Sequence, residues 1–338
     1  MKRILVGVSG GIDSLATVLY FKKKGYDVYG LYLILTEKNI INKDRVEGIY
    51  KSLKIPLLIF DGREIFKERI IDYFLNTYRE GKTPNPCAMC NRLIKFPILD
   101  EISSKNSFEY FSTGHYIYIK DSLIFKPFDK KKDQTYYVST VEKKFFKKFV
   151  NSITSFSTKE DIKNFVFERV KFDFFKKYKE SQDICFVQKD YVSFLKENGF
   201  EEEEGNMITT KGDILKKHKG FFHFTIGERA MVGGRRERLF IKKIIPSSKS
   251  VIVSTKKELG ENFFHLSPVE IFTDDKVDLK VKVRYRSDEV ECDLEKLNDG
   301  RIYVKTKKPI YGITPGQIGV IYRDDMVVLS GIIEKEEV

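Results

Sequence analysis

Ile4-Leu5-Val6-Gly7-Val8-Ser9-Gly10-Gly11-Ile12-Asp13-Ser14 decides how the chain folds. An apolar run of strand type breaks at Ser9-Gly10-Gly11. It resumes as Leu15-Ala16-Thr17-Val18-Leu19-Tyr20-Phe21, which reads as a buried helix. Two adjacent glycines let the chain turn sharply and let a ligand lie against bare backbone. The N–H groups that open the next helix lack internal partners and sit at the positive end of its dipole, a ready anion site. Ser9 and Ser14 add hydroxyls there, and Asp13 is the candidate to hold a magnesium ion beside a phosphate chain.

The other phosphate loops do not match. A Walker loop needs G-x-x-x-x-G-K-[ST], and no Lys follows Gly11; the dinucleotide fingerprint G-x-G-x-x-G is also absent. An ordinary glycine turn is the plain alternative, but S-G-G-x-D-S between a strand and a helix resembles the PP-loop of ATP pyrophosphatases. That resemblance implies a grip on the β,γ-pyrophosphate of ATP, released whole when a substrate is adenylated. It leaves the adenylated substrate open.

Strand and helix signals alternate over the first ~120 residues, the pattern of a doubly wound parallel α/β sheet. Ile4–Val8, Asp27–Leu35 and Ile55–Phe60 read as strands, Asp44–Leu53 as a helix. Glu64–Arg79 places Phe66, Ile70, Tyr73, Phe74 and Thr77 on one helical face, and Tyr110–Ile119 is a strand interrupted at Thr113-Gly114-His115. Ligands bind at the carboxyl ends of such strands, so Ser9–Ser14, the end of the second strand and Gly114 are expected in one crevice. Pro84 and Pro86 predict a rigid loop, with a helix starting from Asn91. Cys90 would then lie near a helix N-terminus, where the dipole, Arg92 and Lys95 lower a thiol's pKa.

Lys130 to about Tyr178 carries helical periodicity, Ile184–Val187 looks strand-like, and residues 190–200 form a short helix before a linker at Glu201–Gly205. The signal then turns to β: His223–Ile226, Leu239–Ile245, Ser250–Ser254, Asp278–Tyr285, Val290–Leu294, Arg301–Thr306, Ile318–Tyr322 and Val327–Ile333. At 338 residues the chain exceeds one ordinary core. The expected division is 1–200, the PP-loop domain with a helical insertion at about 130–180; 201–258, a small β domain; and 259–338, a β-barrel.

Composition sets the setting. The net charge of +12, from 61 basic and 49 acidic residues, favours a polyanionic partner such as RNA, although a lysine-rich proteome gives the same count. No apolar run approaches the ~20 residues that span a bilayer, and no signal-peptide pattern opens the sequence. Four cysteines without a secretory signal suit a reducing cytoplasm.

Several motifs then follow in order: T-P-N-P-x-x-x-C-N-x-x-I-K-F ending at Phe96, T-G-H-Y at Thr113–Tyr116, K-D-Q-T-Y from Lys132, and S-Q-D-I-C-F at Ser181–Phe186. Phe224-Thr225-Ile226-Gly227-Glu228-Arg229, Arg284-Tyr285-Arg286 and Thr314-Pro315-Gly316-Gln317 complete them. Together with the PP-loop they resemble the tRNA-specific 2-thiouridylase family over nearly the whole chain. The resemblance implies an adenine nucleotide α-hydrolase-like domain and ATP-dependent 2-thiolation of the wobble uridine of tRNA. Cys185 would carry a persulfide, received from a sulfur donor protein such as a cysteine desulfurase or a sulfur relay. Cys90 would act as nucleophile and end in a Cys90–Cys185 disulfide. ATP and Mg2+ would meet Gly7, Val8, Ser9, Gly10, Gly11, Ile12, Asp13, Ser14 and Gly114. Leu33 would stand where the family usually has a strand-end methionine. Asn85, Pro86, Cys87, His115, Lys132, Asp133, Gln134, Arg284, Tyr285 and Gln317 would touch tRNA.

The chemistry fits without the resemblance: exchanging oxygen for sulfur needs the oxygen made a leaving group and a sulfur held beside it. Many family members have Asp where Cys87 stands. Cys87, Cys90 and Cys185 are therefore also candidate ligands of a 4Fe-4S cluster, while Cys292 alternates as a strand residue and reads as core. The segment after Leu35 is shorter than in many relatives, which leaves the choice of RNA open. The rival readings are the same chemistry on another RNA, a PP-loop ligase adenylating a small metabolite, and a β-barrel RNA-binding protein with a vestigial ATP loop.

Overall fold

The structure is a computed structural model describing residues 1–170, 184–233 and 237–335. Ser181-Gln182-Asp183 and the end of the expected helical stretch lie outside the described residues. The chain forms two compact units: Met1–Ile70 with Cys87–Phe186 and Asp325–Val327, and Ile71–Pro86 with Val187–Asp324 and Val328–Val338.

The first unit is built on four parallel strands, β1 (Arg3–Val8), β2 (Asp27–Ile34), β3 (Leu57–Asp61) and β4 (Tyr110–Thr113), in the order β3-β2-β1-β4. β1 is central and apolar, with Ile4, Leu5 and Val6 fully buried, as a strand covered on both faces must be. It pairs Gly7 with Leu31 of β2 and with Thr113 of β4. The chain leaves β1 towards β2 and returns later to β4, so the order reverses at the carboxyl end of β1, where α/β sheets bind ligands. α1 (Ile12–Lys23) and α2 (Glu37–Ser52) contribute Leu15, Val18, Leu19, Val46, Ile49 and Tyr50 to the main core cluster. α3 (Phe96–Lys105) packs by Leu99 against Gly7.

α2 begins seven residues before the expected Asp44. Asn39 Oδ1 accepts from the backbone N–H groups of Leu35 and Thr36, a reciprocal cap that the polar stretch Thr36-Glu37-Lys38-Asn39 conceals. The expected helix Glu64–Arg79 is present as Arg63–Phe66, a π turn at Lys67–Ile71 and Asp72–Arg79, with Phe66, Ile70, Phe74 and Thr77 buried. The single strand expected over Tyr110–Ile119 is corrected. β4 ends at Thr113, and β5 (Tyr118–Lys120) pairs with β6 (Leu123–Phe125) as a separate hairpin. The stretch from Lys130 resolves into short turns at Lys130–Lys132, Thr135–Val138, Lys143–Lys148 and Ile153–Ser155, then α4 (Lys159–Phe167). Ile184–Val187 is irregular rather than strand, because the residues around Cys185 turn.

In the second unit, α5 (Tyr191–Glu197) precedes a five-stranded sheet. Its strands are β7 (Gly205–Thr209), β8 (Ile214–His218), β9 (Arg229–Ala230), β10 (Leu239–Ile245) and β11 (Ser250–Ser254). His223–Ile226, expected as a strand, instead follows a helical turn at Phe221–His223 that buries Phe222. Six strands then close a barrel in the order β12-β15-β14-β13-β16-β17, with β12 pairing back to β17. They are β12 (Gly260–Ile271), β13 (Leu279–Lys282), β14 (Val290–Lys296), β15 (Ile302–Tyr311), β16 (Ile318–Arg323) and β17 (Met326–Glu334). An N-terminal parallel sheet, a helical stretch and β domains ending in a barrel are thus the architecture that the sequence suggests. No helix among the described residues is long and apolar enough to cross a membrane.

Arg284 ties the second unit together. Its Nη2 donates to Ile226 O (2.6 Å), Gly312 O (3.0 Å) and Thr314 Oγ1. Gly227 (φ +85°) and Gly312 (φ +74°) face each other so closely that a Cβ on either would stand 3.1 Å from the other's Cα. Arg284→Ala should leave these acceptors without their donor and lower stability by about 1.5–3 kcal/mol, read as the shift in a urea unfolding midpoint.

Candidate active site

The PP-loop is held open by its own side chains. Gly10 takes φ +75°, where a Cβ would meet Val46 Cγ2 at 2.8 Å and Arg45 Nη2 at 3.1 Å. Ser14 Oγ donates to Gly11 O (2.9 Å) and accepts from Ser9 N (3.2 Å), while Gly11 N donates to Ser9 Oγ (3.3 Å). Gly11 caps α1 with no side-chain acceptor, so the helix start presents its amides to an incoming anion. Gly114, just past β4, presses on the same helix start: a Cβ there would lie 2.8 Å from Ser14 N and 3.0 Å from Asp13 C. The expected meeting of Ser9–Ser14 with Gly114 is therefore a backbone contact. Leu33 is half-buried next to the last residue of β2.

Two residues absent from the sequence reading complete this end of the sheet. Asp13 Oδ1 accepts from Tyr116 Oη (2.7 Å) and Lys159 Nζ (2.5 Å). The ion pair is 14% exposed on the lysine and 26% on the aspartate, so it is less screened than a surface pair. Lys159 opens α4 immediately after Thr158, whose side chain caps the helix on Asp161 N. That cap, legible as Thr158-x-x-Asp161, is the signal that could have found it. The cradle thus pairs amides for an anion with a carboxylate and an ammonium beside it, a donor set that suits a phosphate chain and its magnesium ion.

The cysteine segment departs from expectation. Pro86–Cys90, a π turn at Asn91–Lys95 and α3 run on as one continuous helix, so Cys90 sits inside the helix rather than before its start. Asn91 Nδ2 donates to Tyr137 O (2.9 Å), Arg92 Nη1 to Thr140 O (2.5 Å) and Thr140 Oγ1 to Ala88 O (3.0 Å). Arg92 is thereby turned to a carbonyl. Cys90 is 6% exposed. The expectation of a lowered thiol pKa is corrected: burial pushes Cys90 up to about 12, against the pull of the Lys95 ammonium. Desolvation likewise raises the Cys87 and Cys185 thiols, although both residues keep exposed surface, and Lys95 opposes it at each. Burial works against the charge of Lys95, but Cys90, Cys87 and Cys185 outweigh it and its pKa rises. Three thiols therefore share one ammonium. Cys185 is carried beside them by Phe186, whose ring meets Phe66 edge-on at 5.6 Å.

His115 Nδ1 hydrogen-bonds Thr113 Oγ1 (2.9 Å), and burial, with help from Lys95, drops its pKa to about 3, so the ring is neutral. Asp133 is buried and accepts from Thr135 N (2.8 Å) and Oγ1 (2.7 Å), while Gln134 Oε1 accepts from Tyr116 N (3.0 Å). In the second unit, Gln317 Nε2 donates to Thr83 O (3.1 Å) and Pro84 O (2.8 Å), and Asn85 N donates to Tyr73 Oη (3.2 Å). Among the described residues no three His, Cys, Asp or Glu side chains are grouped to hold a metal ion, so the three thiols do not form a cluster site here. Cys292 is buried in β14, as expected of a core residue.

Alkylation should report the thiol environment. Cys90 should react slowly with iodoacetamide near neutral pH and faster by about tenfold per pH unit towards 12. Lys95→Gln should slow it further, because the ammonium that favours the thiolate is gone. Gly114→Ala should cost about 1–3 kcal/mol of stability and raise the KM for ATP, since the methyl must displace the backbone of Ser14.

Three family models match consecutive parts of the chain. They are the tRNA methyl transferase HUP domain over 2–189, the tRNA methyl transferase PRC-barrel domain over 192–255 and the aminomethyltransferase beta-barrel domain over 260–333. The tRNA-specific 2-thiouridylase MnmA of Campylobacter jejuni (strain RM1221) is 38% identical over 338 residues, spanning 98% of this chain and 100% of its own length. MnmA 1 of Aliarcobacter butzleri (strain RM4018) is 35% identical, over 98% of each chain. Among solved structures, the U34-tRNA thiolase NcsA from Methanococcus maripaludis, with its 4Fe-4S cluster, aligns over 58% of this chain and 65% of its own. Its identity of 13% and TM-score of 0.35 are too slight to bear on the chemistry. Similar at 38% identity along 98% of its length to a curated member, the chain belongs to the tRNA-specific 2-thiouridylase family.

Proposed function

We propose that this protein is an ATP-dependent tRNA-uridine 2-sulfurtransferase acting on the wobble uridine. The observation that carries the reading is that one compact unit holds both an anion cradle and three thiols sharing the Lys95 ammonium. A ligase that attacks an adenylate with nitrogen needs the cradle but not the thiols. Methyl transfer, named in two of the family-model descriptions, needs neither.

ATP enters with its β,γ-phosphates on the amides of Gly10–Ser14, and Asp13 and Lys159 flank them. Mg2+, when bound at Asp13, neutralises phosphate charge. The uracil C2 oxygen attacks the α-phosphorus and pyrophosphate leaves. The outer sulfur of a Cys185 persulfide then attacks C2, and AMP departs with the original oxygen. Cys90 attacks Sγ of Cys185, leaving 2-thiouridine and a Cys90–Cys185 disulfide, so two thiols are oxidised as the sulfane sulfur is reduced. Lys95 supports the Cys90 thiolate that this step requires. A persulfide-bearing donor protein reloads Cys185, whose exposed position suits that exchange.

For tRNA, neutral His115 can exchange hydrogen bonds with a base edge, and Lys132 and Tyr285 can meet phosphate and base. Asn85, Pro86 and Cys87 form the loop and turn ahead of Cys90. Asp133, Gln134, Arg284 and Gln317 serve tRNA binding by holding backbone, given the acceptors and donors on which they are spent.

Cys90→Ala and Cys185→Ala should each lower thiolation by about 10^3-fold or more, measured as 2-thiouridine by mass spectrometry, while RNA-dependent pyrophosphate release survives. Asp13→Ala should abolish pyrophosphate release itself. Turnover retained in Cys185→Ala would remove the persulfide step.

A further inference from the structure

The cycle above ends with its sulfur acceptor blocked. Cys185 cannot take a new sulfur while it is bonded to Cys90, and Cys90 is 6% exposed, closed to a reductant from solution. A third thiol lies on the protein side of that bond. Cys87 precedes Cys90 by three residues in the same helical turn, Pro86–Cys90, a spacing that puts Cβ atoms about 5–6 Å apart. A disulfide asks for about 3.5–4.5 Å, so the turn has only to tighten. Cys87 is exposed where Cys90 is buried, and both thiols feel Cys185 and Lys95.

Resting on the thiolation reading, we propose that Cys87 is the resolving thiol of the cycle: it takes Cys90 from Cys185, moving the oxidised pair onto the Pro86–Cys90 turn and freeing Cys185. The Cys87 thiolate attacks Sγ of Cys90. The Cys90–Cys185 bond breaks, and Cys185 leaves as a thiolate that takes up the proton Cys87 gave away. One disulfide is exchanged for another, with no oxidant consumed. A dithiol from solution then reduces the Cys87–Cys90 bond through exposed Cys87 and is itself oxidised. Lys95 favours both the attacking and the leaving thiolate. The helix bearing Cys87 and Cys90 is fastened through Ala88 and Asn91, which keeps the two thiols together while Cys185 departs.

The test is to treat the full-length protein with one equivalent of diamide, alkylate the remaining thiols and map disulfides by peptide mass spectrometry. The wild type should show mainly Cys87–Cys90 with alkylated Cys185, and Cys87→Ser should show mainly Cys90–Cys185. A wild type that holds mainly Cys90–Cys185 would overturn the proposal, because the oxidised pair then stays on the acceptor. Buried Cys292 is the internal reference. Mapping needs neither ATP nor tRNA, so it stands apart from the thiolation reading. A protein that forms Cys87–Cys90 yet makes no 2-thiouridine from tRNA and ATP after persulfide loading would count against that reading alone.

Discussion

The carboxylate of Asp13 is where the first unit comes together. It sits in the first turn of α1, directly after the glycine turn, and one of its oxygens receives both the Tyr116 hydroxyl and the Lys159 ammonium. Those donors come from the chain just past β4 and from α4, so a single oxygen links the loop that opens the fold to segments folded much later. Gly114 adds the steric half of the arrangement, because its missing Cβ lets the chain after β4 lie on the amide of Ser14. The hydrogen-bonded carboxylate orients the helix start, and the glycine keeps it uncovered.

Burial and reactivity oppose each other at the cysteines. A thiol pushed up to about 12 is inert near neutrality, which protects Cys90 from stray oxidants. The ammonium of Lys95 offsets part of the burial and keeps a thiolate within reach when sulfur chemistry calls for it. The neutral ring of His115, held so by the same surroundings, adds no second positive charge to that balance.

Contiguous signals in the sequence were readable, and those assembled from distant parts were not. The glycine turn lies within eleven residues of continuous pattern, and β10 and β11 stand at their expected bounds because unbroken apolar runs flank a plain turn at Pro246–Ser248. Tyr116 and Lys159 lie 103 and 146 residues from Asp13 and belong to residue types common on any surface. No local pattern marks them as its partners. β7, β8 and β12 escaped notice because they are polar or, in β12, interrupted at Pro268 by a register shift. Asp133 and Gln134 stood out as a motif, yet their hydrogen bonds go to backbone, which only coordinates reveal.

The π turn at Asn91–Lys95 has an evolutionary reading. Residues five apart on a regular α-helix point about 140° away from each other, which would carry Lys95 off the side that Cys90 occupies. A turn closed from Phe96 N to Asn91 O spans five residues and returns such a pair to one side. The irregularity amounts to one inserted residue. An indel that removed it would restore tidy helical phase, cost the fold little, and leave the thiols without their shared ammonium.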